Sequence, residues 1–172
     1  MQWRSHPELQ RQFHVEHPDD LQVIVHDGGP RITDRSPEAV WVTVTGCNGD
    51  VFTGRVINQP AQLRTISQGQ QIQFIMPLNG EQPVLVTEKY LLERQAWAIH
   101  PCQKCGFSEL FDAPSDLMRV VFPDMAADAV MEAFTSFCPL CGGVQAIEFT
   151  GGNDQTAPAP PQKKAWWEFW KK

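Results

Sequence analysis

The sequence has few basic residues and no long apolar run. Fourteen Lys and Arg stand against twenty Asp and Glu in 172 residues, a formal net charge of −6. A chain of that balance lacks the basic field that a general DNA or RNA coat requires, so nucleic acid is not an expected partner. No apolar stretch approaches the roughly 20 residues of a membrane span. The opening MQWRSHPELQ has no basic region followed by an apolar one. No secretory signal is therefore expected, and the expected address is the cytoplasm. Catalytic signatures are also missing. No serine sits in G-x-S-x-G, and no glycine-rich phosphate loop precedes a helix. HDGGP (His26 to Pro30) holds two glycines but reads as a plain turn. Adjacent carboxylates such as Asp19 and Asp20 read as solvated. These absences favour a binding or scaffold role. The hydrophobic share of 42% excludes wholesale disorder and suits one ordinary domain, or two small ones sharing a core.

What the chain does have is cysteine in a pattern. Four of its five cysteines form two C-x-x-C-G units, Cys102 and Cys105 in PCQKCGF, Cys138 and Cys141 in FCPLCGG. Thiolates at positions i and i+3 fill two corners of a tetrahedral zinc site from one tight turn. The glycine after each pair tolerates the positive φ that such a turn often needs. Pro101 and Pro139 stiffen the approach to each turn. A thioredoxin-like dithiol would need a single C-x-x-C in a βαβ context, and disulfides would need an oxidising compartment. The spacing points to a structural Zn²⁺ held by Cys102, Cys105, Cys138 and Cys141, with iron as the lesser alternative. A shell of four thiolates leaves no open position for a catalytic water. Cys47, alone in GCNGD, has Asn48 and Asp50 for neighbours in place of basic groups and reads as an inert turn cysteine.

Between the knuckles lie 32 residues, Gly106 to Phe137. Phe107 to Phe122 carries enough apolar side chains to pack over the metal. Asp124 to Phe137 reads as a helix, with Met125, Ala129, Phe134 and Phe137 in reach of one broad face. Pro123 suits its start, and Asp124 and Asp128 its positive end. After the second knuckle, Val144 to Thr150 alternates like a strand.

The region 21–98 reads mostly as β-structure. Leu21 to Val25 is a short apolar run. Val40 to Thr45 and Val51 to Ile57 flank GCNGD as a hairpin. Gln70 to Met76 alternates, and Val84 to Val86 follows a turn. Thr87 suits the cap of a helix over Glu88 to Trp97, with an extended form of that stretch as the alternative. Short strands at this spacing predict a small curled antiparallel sheet or partly open barrel. The fold class is α+β, with the zinc-ribbon-like module containing a helix. The organisation is a polar segment 1–20, a β-rich domain 21–98, a four-cysteine module 99–150, a Pro-rich linker 151–162 and a tail 163–172. His14 and His17 stand three apart, without a third ligand at a recognisable spacing, and read as surface histidines. His100, two residues before Cys102, reads as a neighbour of the metal shell.

Trp41 to Val44 (W-V-x-V), Gly49 to Pro60 (G-D-V-F-x-G-x-V-x-N-x-P), Leu63, and Gly69 to Phe74 (G-x-x-I-x-F) together resemble a family of small bacterial domains of unknown function. The resemblance covers about 35 residues, with Gln70 where that family has an acidic residue. It implies a bacterial source and a compact β-rich domain, and no chemistry. The C-x-x-C-G pairs resemble zinc ribbons at the level of the site.

The tail KKAWWEFWKK carries Trp166, Trp167, Phe169 and Trp170 between pairs of lysines. Tryptophan favours membrane interfaces and lysine favours anionic lipid, while tryptophans also anchor protein interfaces. Ten residues anchor weakly on lipid, so docking on a protein partner or on the chain's own body is favoured over a peripheral contact with the inner membrane. Residues 163–172 hold four lysines and one glutamate, a charge of +3, and the other 162 residues hold 10 basic and 19 acidic side chains, a charge of −9. The expected function is that of a non-enzymatic zinc-binding adaptor or interaction module. The alternatives are an enzyme or nucleic-acid-associated zinc-ribbon protein with an unrecognised site, or a toxin-neutralising immunity protein.

Overall fold

The computed structural model describes residues 2–78, 82–126, 129 and 131–151. Its first half is built on alternation. Strand β1 (Asp20–Val25) turns Leu21, Val23 and Val25 inward, all fully buried. Strands β2 (Glu38–Asn48) and β3 (Val51–Val56) form the hairpin expected from GCNGD, with Asn48 paired to Val51 across a two-residue turn. Strands β4 (Gln71–Ile75) and β5 (Val84–Val86) continue the sheet antiparallel. β5 then meets β1 in parallel at Ile24 and Val84, and the Ile24 N–H donates to Pro83 O at 2.8 Å, so the five strands close into a barrel. Closure removes the sheet edges that would otherwise invite pairing with another chain.

Phe52 and Phe74 stack inside the barrel with ring centroids 5.5 Å apart. The N-terminal segment, polar in composition, sends Leu9 into this core and lays Trp3 and Phe13 against it.

The second half forms a three-stranded antiparallel sheet, β6 (Trp97–Ile99), β8 (Val144–Phe149) and β7 (Ala133–Phe137), with β8 central. Thr87 caps helix α1 (Glu88–Glu93), its hydroxyl accepting from Tyr90 N. A 3₁₀ turn over Arg94–Ala96 follows. The expected helix therefore ends early, and Trp97 is extended and paired with Phe149. One apolar cluster joins the two halves. Ile75 and Val86 of the barrel, Tyr90 of α1, Leu110, and Phe134 and Ile147 of the second sheet are buried together. Among the described residues, no helix is long and apolar enough to cross a membrane.

Two further expectations need correction. The helix between the knuckles is α2 (Pro114–Val121), and Ala133–Phe137, expected to be helical, is strand β7. Ala-rich DMAADAV suggested a helix, but AFTSF also has period 2, with Phe134 and Ser136 inward. Five ladder pairs to β8 decide in favour of the strand. Residues 127, 128 and 130 of the expected helix lie outside the described residues. Cys47 is not in the turn. It belongs to β2, pairs with Phe52 and packs against the barrel core.

Candidate metal centre

The two C-x-x-C-G units fold alike. In the first, Cys102 N donates to Phe107 O (2.8 Å) and Gly106 N to Cys102 O (2.9 Å). In the second, Cys138 N donates to Gly143 O (2.6 Å) and Gly142 N to Cys138 O (2.9 Å). Gly106 and Gly142 take φ of +78° and +69°, the left-handed region that glycine enters without penalty. Gly143 is needed for a different reason. A Cβ there would stand 2.7 Å from Cys102 Sγ and 2.8 Å from Lys104 Cβ.

These turns bring four sulfurs from opposite ends of a 40-residue segment, Cys102 to Cys141, within 4.8 Å of one another. Cys102 Sγ lies 3.5 Å from Cys141 Sγ, and Cys105 Sγ 3.6 Å from Cys138 Sγ. A tetrahedron with metal–sulfur bonds of about 2.3 Å has edges of about 3.8 Å. The observed spacings fit that figure and lie far outside the disulfide bond length of about 2.05 Å. The four cysteines together could therefore bind a metal ion. Cys102 and Cys138 are buried, and Phe107, Phe111 and Val84 pack around them.

The electrostatics call for a cation. Burial pushes the Cys102 thiol up, but backbone N–H groups of Cys105 and Lys104 outweigh it and bring it down to about 6. Burial raises Cys105 and Cys138. Four adjacent thiolates would repel one another, and a divalent ion would supply the charge that lets all four ionise. Within 99–150 the only Lys or Arg side chains are Lys104 and Arg119, beside seven acidic ones.

Around this centre, long-range ties hold the zinc-ribbon-like module together and fasten it to the barrel. Gln145 of β8, fully buried, donates Nε2 to Phe107 O at 2.8 Å. The HDGGP loop, expected to be a plain turn, is the main docking element. His26 stacks on Phe111, Gly29 N donates to Asp112 Oδ2 at 2.7 Å, and Arg31 lies over the Phe137 ring at 5.0 Å. No local motif announces this. Asp112 is 83 residues from Gly29.

The junction also forms an open cleft of about 670 Å³, with His26, Asp27, Thr65, Gln73, Phe111 and Asp112 in its lining. Glu88 also lines it, and three of its titratable groups, His26, Asp27 and Asp112, are engaged in the fold. His26 is buried with Nε2 3.0 Å from Leu85 O, and Nδ1 accepts from Gly28 N at 3.1 Å. Asp27 accepts from Arg64 N, from Thr65 N and Oγ1, and from Arg35 Nη1. Burial opposes ionisation of Asp27, yet these donors hold it well below the usual carboxylate range. Burial raises Asp112, against the Gly29 N–H. His26, Asp27 and Asp112, so committed, brace the fold at this junction.

The remaining histidines divide. His14 and His17 stack with centroids 5.2 Å apart, and Glu16 adds a third donor within 4.8 Å. His14 Nδ1 already accepts from Glu16 N at 3.2 Å. His100 faces Glu148 at 3.4 Å and is not part of the four-sulfur cluster. The tail residues Trp166, Trp167, Phe169 and Trp170 lie outside the described residues.

Compared with protein-family models, with curated proteins and with solved structures, the chain matches none of them. None of these comparisons supports the resemblance of Trp41 to Phe74 to a family of small bacterial domains.

Proposed function

We propose that the chain is a zinc-stabilised, non-enzymatic adaptor of bacterial origin, working in a reducing compartment, the cytoplasm. One observation carries the reading: two matched knuckles converge four sulfurs at the spacing of a closed tetrahedral metal shell. Zn²⁺ is the ion that best suits four thiolates without redox chemistry. In that shell the metal is structural, welding the β6–β8–β7 sheet to the loop that packs on the barrel. Reduced thiols at this density suit a reducing compartment. The C-terminal Trp/Lys tail is the interaction element, docking on a protein partner, with an anionic membrane surface as the competing target. Support comes from its composition, three tryptophans and four lysines in ten residues.

Two measurements test this reading. Metal analysis should find one zinc per chain, and a value far below one with four reactive thiols would sink the zinc claim. An unbiased pull-down with the full chain and with a chain lacking residues 163–172 tests the adaptor. The tail should be required for the main captured partner, and identical profiles would overturn the role given to it.

A further inference from the structure

The chain leaves the described fold beside an apolar groove. Phe149 N donates to Glu132 O at 2.8 Å, and the described residues end two positions later, at Gly151. Met131, next to Glu132, lines a groove of about 510 Å³ together with Val121, Phe122, Pro123, Asp124 and Met125. All but Asp124 are apolar. Phe122 and neighbouring Val120 are each 37% exposed, so the end of α2 presents uncovered apolar surface.

We propose that this groove is the resting dock of the chain's own tail, residues 163–172. Three observations select that occupant. The first is reach. Residues 152–162 separate the exit from the tail, and eleven residues of flexible chain have an end-to-end distance of roughly 18 Å, or up to about 34 Å when Pro-rich and extended. The groove begins beside the exit, so a tether of that length corresponds to an effective concentration of about millimolar at the groove. The second is charge. The tail carries +3, Asp124 lies in the groove, Glu132 stands at the exit, and the body as a whole carries −9. Arg119 on α2 is the one basic side chain nearby in sequence, and it does not line the groove. The third is chemistry. Met125 and Met131 are soft, adaptable side chains that make favourable sulfur–aromatic contacts, and the tail offers three indoles and a phenyl ring.

Docked, the tail hides its aromatics against the body. A partner must outcompete the groove, which makes self-docking the regulation of the interaction element. That regulatory sense rests on the adaptor reading, whereas the docking itself does not.

The test uses the full, zinc-loaded chain labelled with ¹³C at its methionine methyls. Five methionines give a short spectrum. Ring currents from the indoles should shift the Met125 and Met131 methyls upfield. The triple variant Trp166→Ala, Trp167→Ala, Trp170→Ala should move both back downfield and leave Met76 in place. Asp124→Lys, an exposed substitution, should move the same two methyls part of the way back. Unchanged Met125 and Met131 methyls in the triple variant would overturn the proposal. So would a shift that grows with protein concentration, which would make a second copy the occupant. A pull-down that fails while the methyl shifts hold removes the adaptor and keeps the dock. The converse result removes the dock alone.

Discussion

His26 lies flat on Phe111, the ring centroids 3.9 Å apart and the planes 3° from parallel. This pair joins the end of β1 to the loop that follows the first cysteine knuckle, and so couples the barrel to the four-cysteine cluster. Burial lowers the His26 pKa from 6.5 to about 4, against the opposing pull of Leu85 O and the charge of Asp27. The folded chain therefore refuses a proton that the unfolded chain accepts. Stability from this group is fully present above pH 6.5 and is lost as pH falls from 6.5 toward 4, by up to about 3 kcal/mol at 1.36 kcal/mol per pH unit. His26→Gln keeps polar atoms near Leu85 O and Gly28 N but does not titrate. Urea unfolding across this window should show the wild type losing stability faster than the variant. Thiolate protonation and metal release act on both proteins, so their difference isolates His26. Parallel profiles would remove His26 as the source.

Chelation should unfold more than the knuckles. Phe107, Phe111 and Val84 pack directly around Cys102 and Cys138, and the adjoining cluster runs from Ile75 of the barrel to Ile147 of β8. With a metal contribution on the order of 10 kcal/mol, removal should shift the whole chain toward the unfolded state in one transition. Thermal unfolding followed by circular dichroism, with and without chelator, reads this out. Cys138→Ser should reproduce the chelated curve without chelator. A barrel transition unaffected by metal would show two independently stable bodies.

The four-cysteine cluster was legible because its members sit in short repeated units, and spacing alone encodes each turn. The barrel strands were legible for a similar reason. Leu21 to Val25, Val51 to Val56 and Gln71 to Ile75 alternate over a single buried face. Barrel closure was not legible, since it depends on one parallel pair, Ile24 with Val84, 60 residues apart. The helix misplaced onto Asp124 to Phe137 shows the limit of propensity. AFTSF supports either period, and only the ladder to β8 decides. The brace at HDGGP was invisible for a deeper reason. Its partners Phe111 and Asp112 lie more than 80 residues further along the chain, so no local pattern near His26 could announce them.

Tyr90 should matter through Glu109. Both are buried, and the phenol donates a short hydrogen bond to Glu109 Oε2 while Arg94 Nη2 stands 3.6 Å from Oε1. Burial pushes the phenol and the carboxyl both upward. Tyr90→Phe leaves a buried carboxyl oxygen without its donor, at a cost of about 1–3 kcal/mol. Adding Glu109→Leu should recover part of that loss, a non-additivity above about 0.5 kcal/mol in a double-mutant cycle. Metal content should stay at the wild-type value, because neither residue touches the sulfurs. Strict additivity would mean the two side chains are uncoupled.

Gly143 offers the sharpest separation of metal binding from general stability. An alanine Cβ there would meet Cys102 Sγ at 2.7 Å and Cys141 Sγ at 3.4 Å, pressing on one sulfur from each knuckle. The sulfurs cannot retreat without opening the tetrahedron, so Gly143→Ala should raise the metal dissociation constant, with an overpacking cost of about 1–3 kcal/mol. Gly46→Ala is the matched control. Its Cβ would meet nothing nearer than Thr53 Cβ at 4.0 Å, and its stability should stay within about 0.5 kcal/mol of wild type. Competition with a chromophoric chelator measures the affinity of each. If both variants hold metal as tightly as wild type, the approach of Gly143 to the sulfurs does not limit the site. If Gly143→Ala loses metal while the metal-free wild-type and variant chains unfold alike, the close approach acts on the metal centre itself.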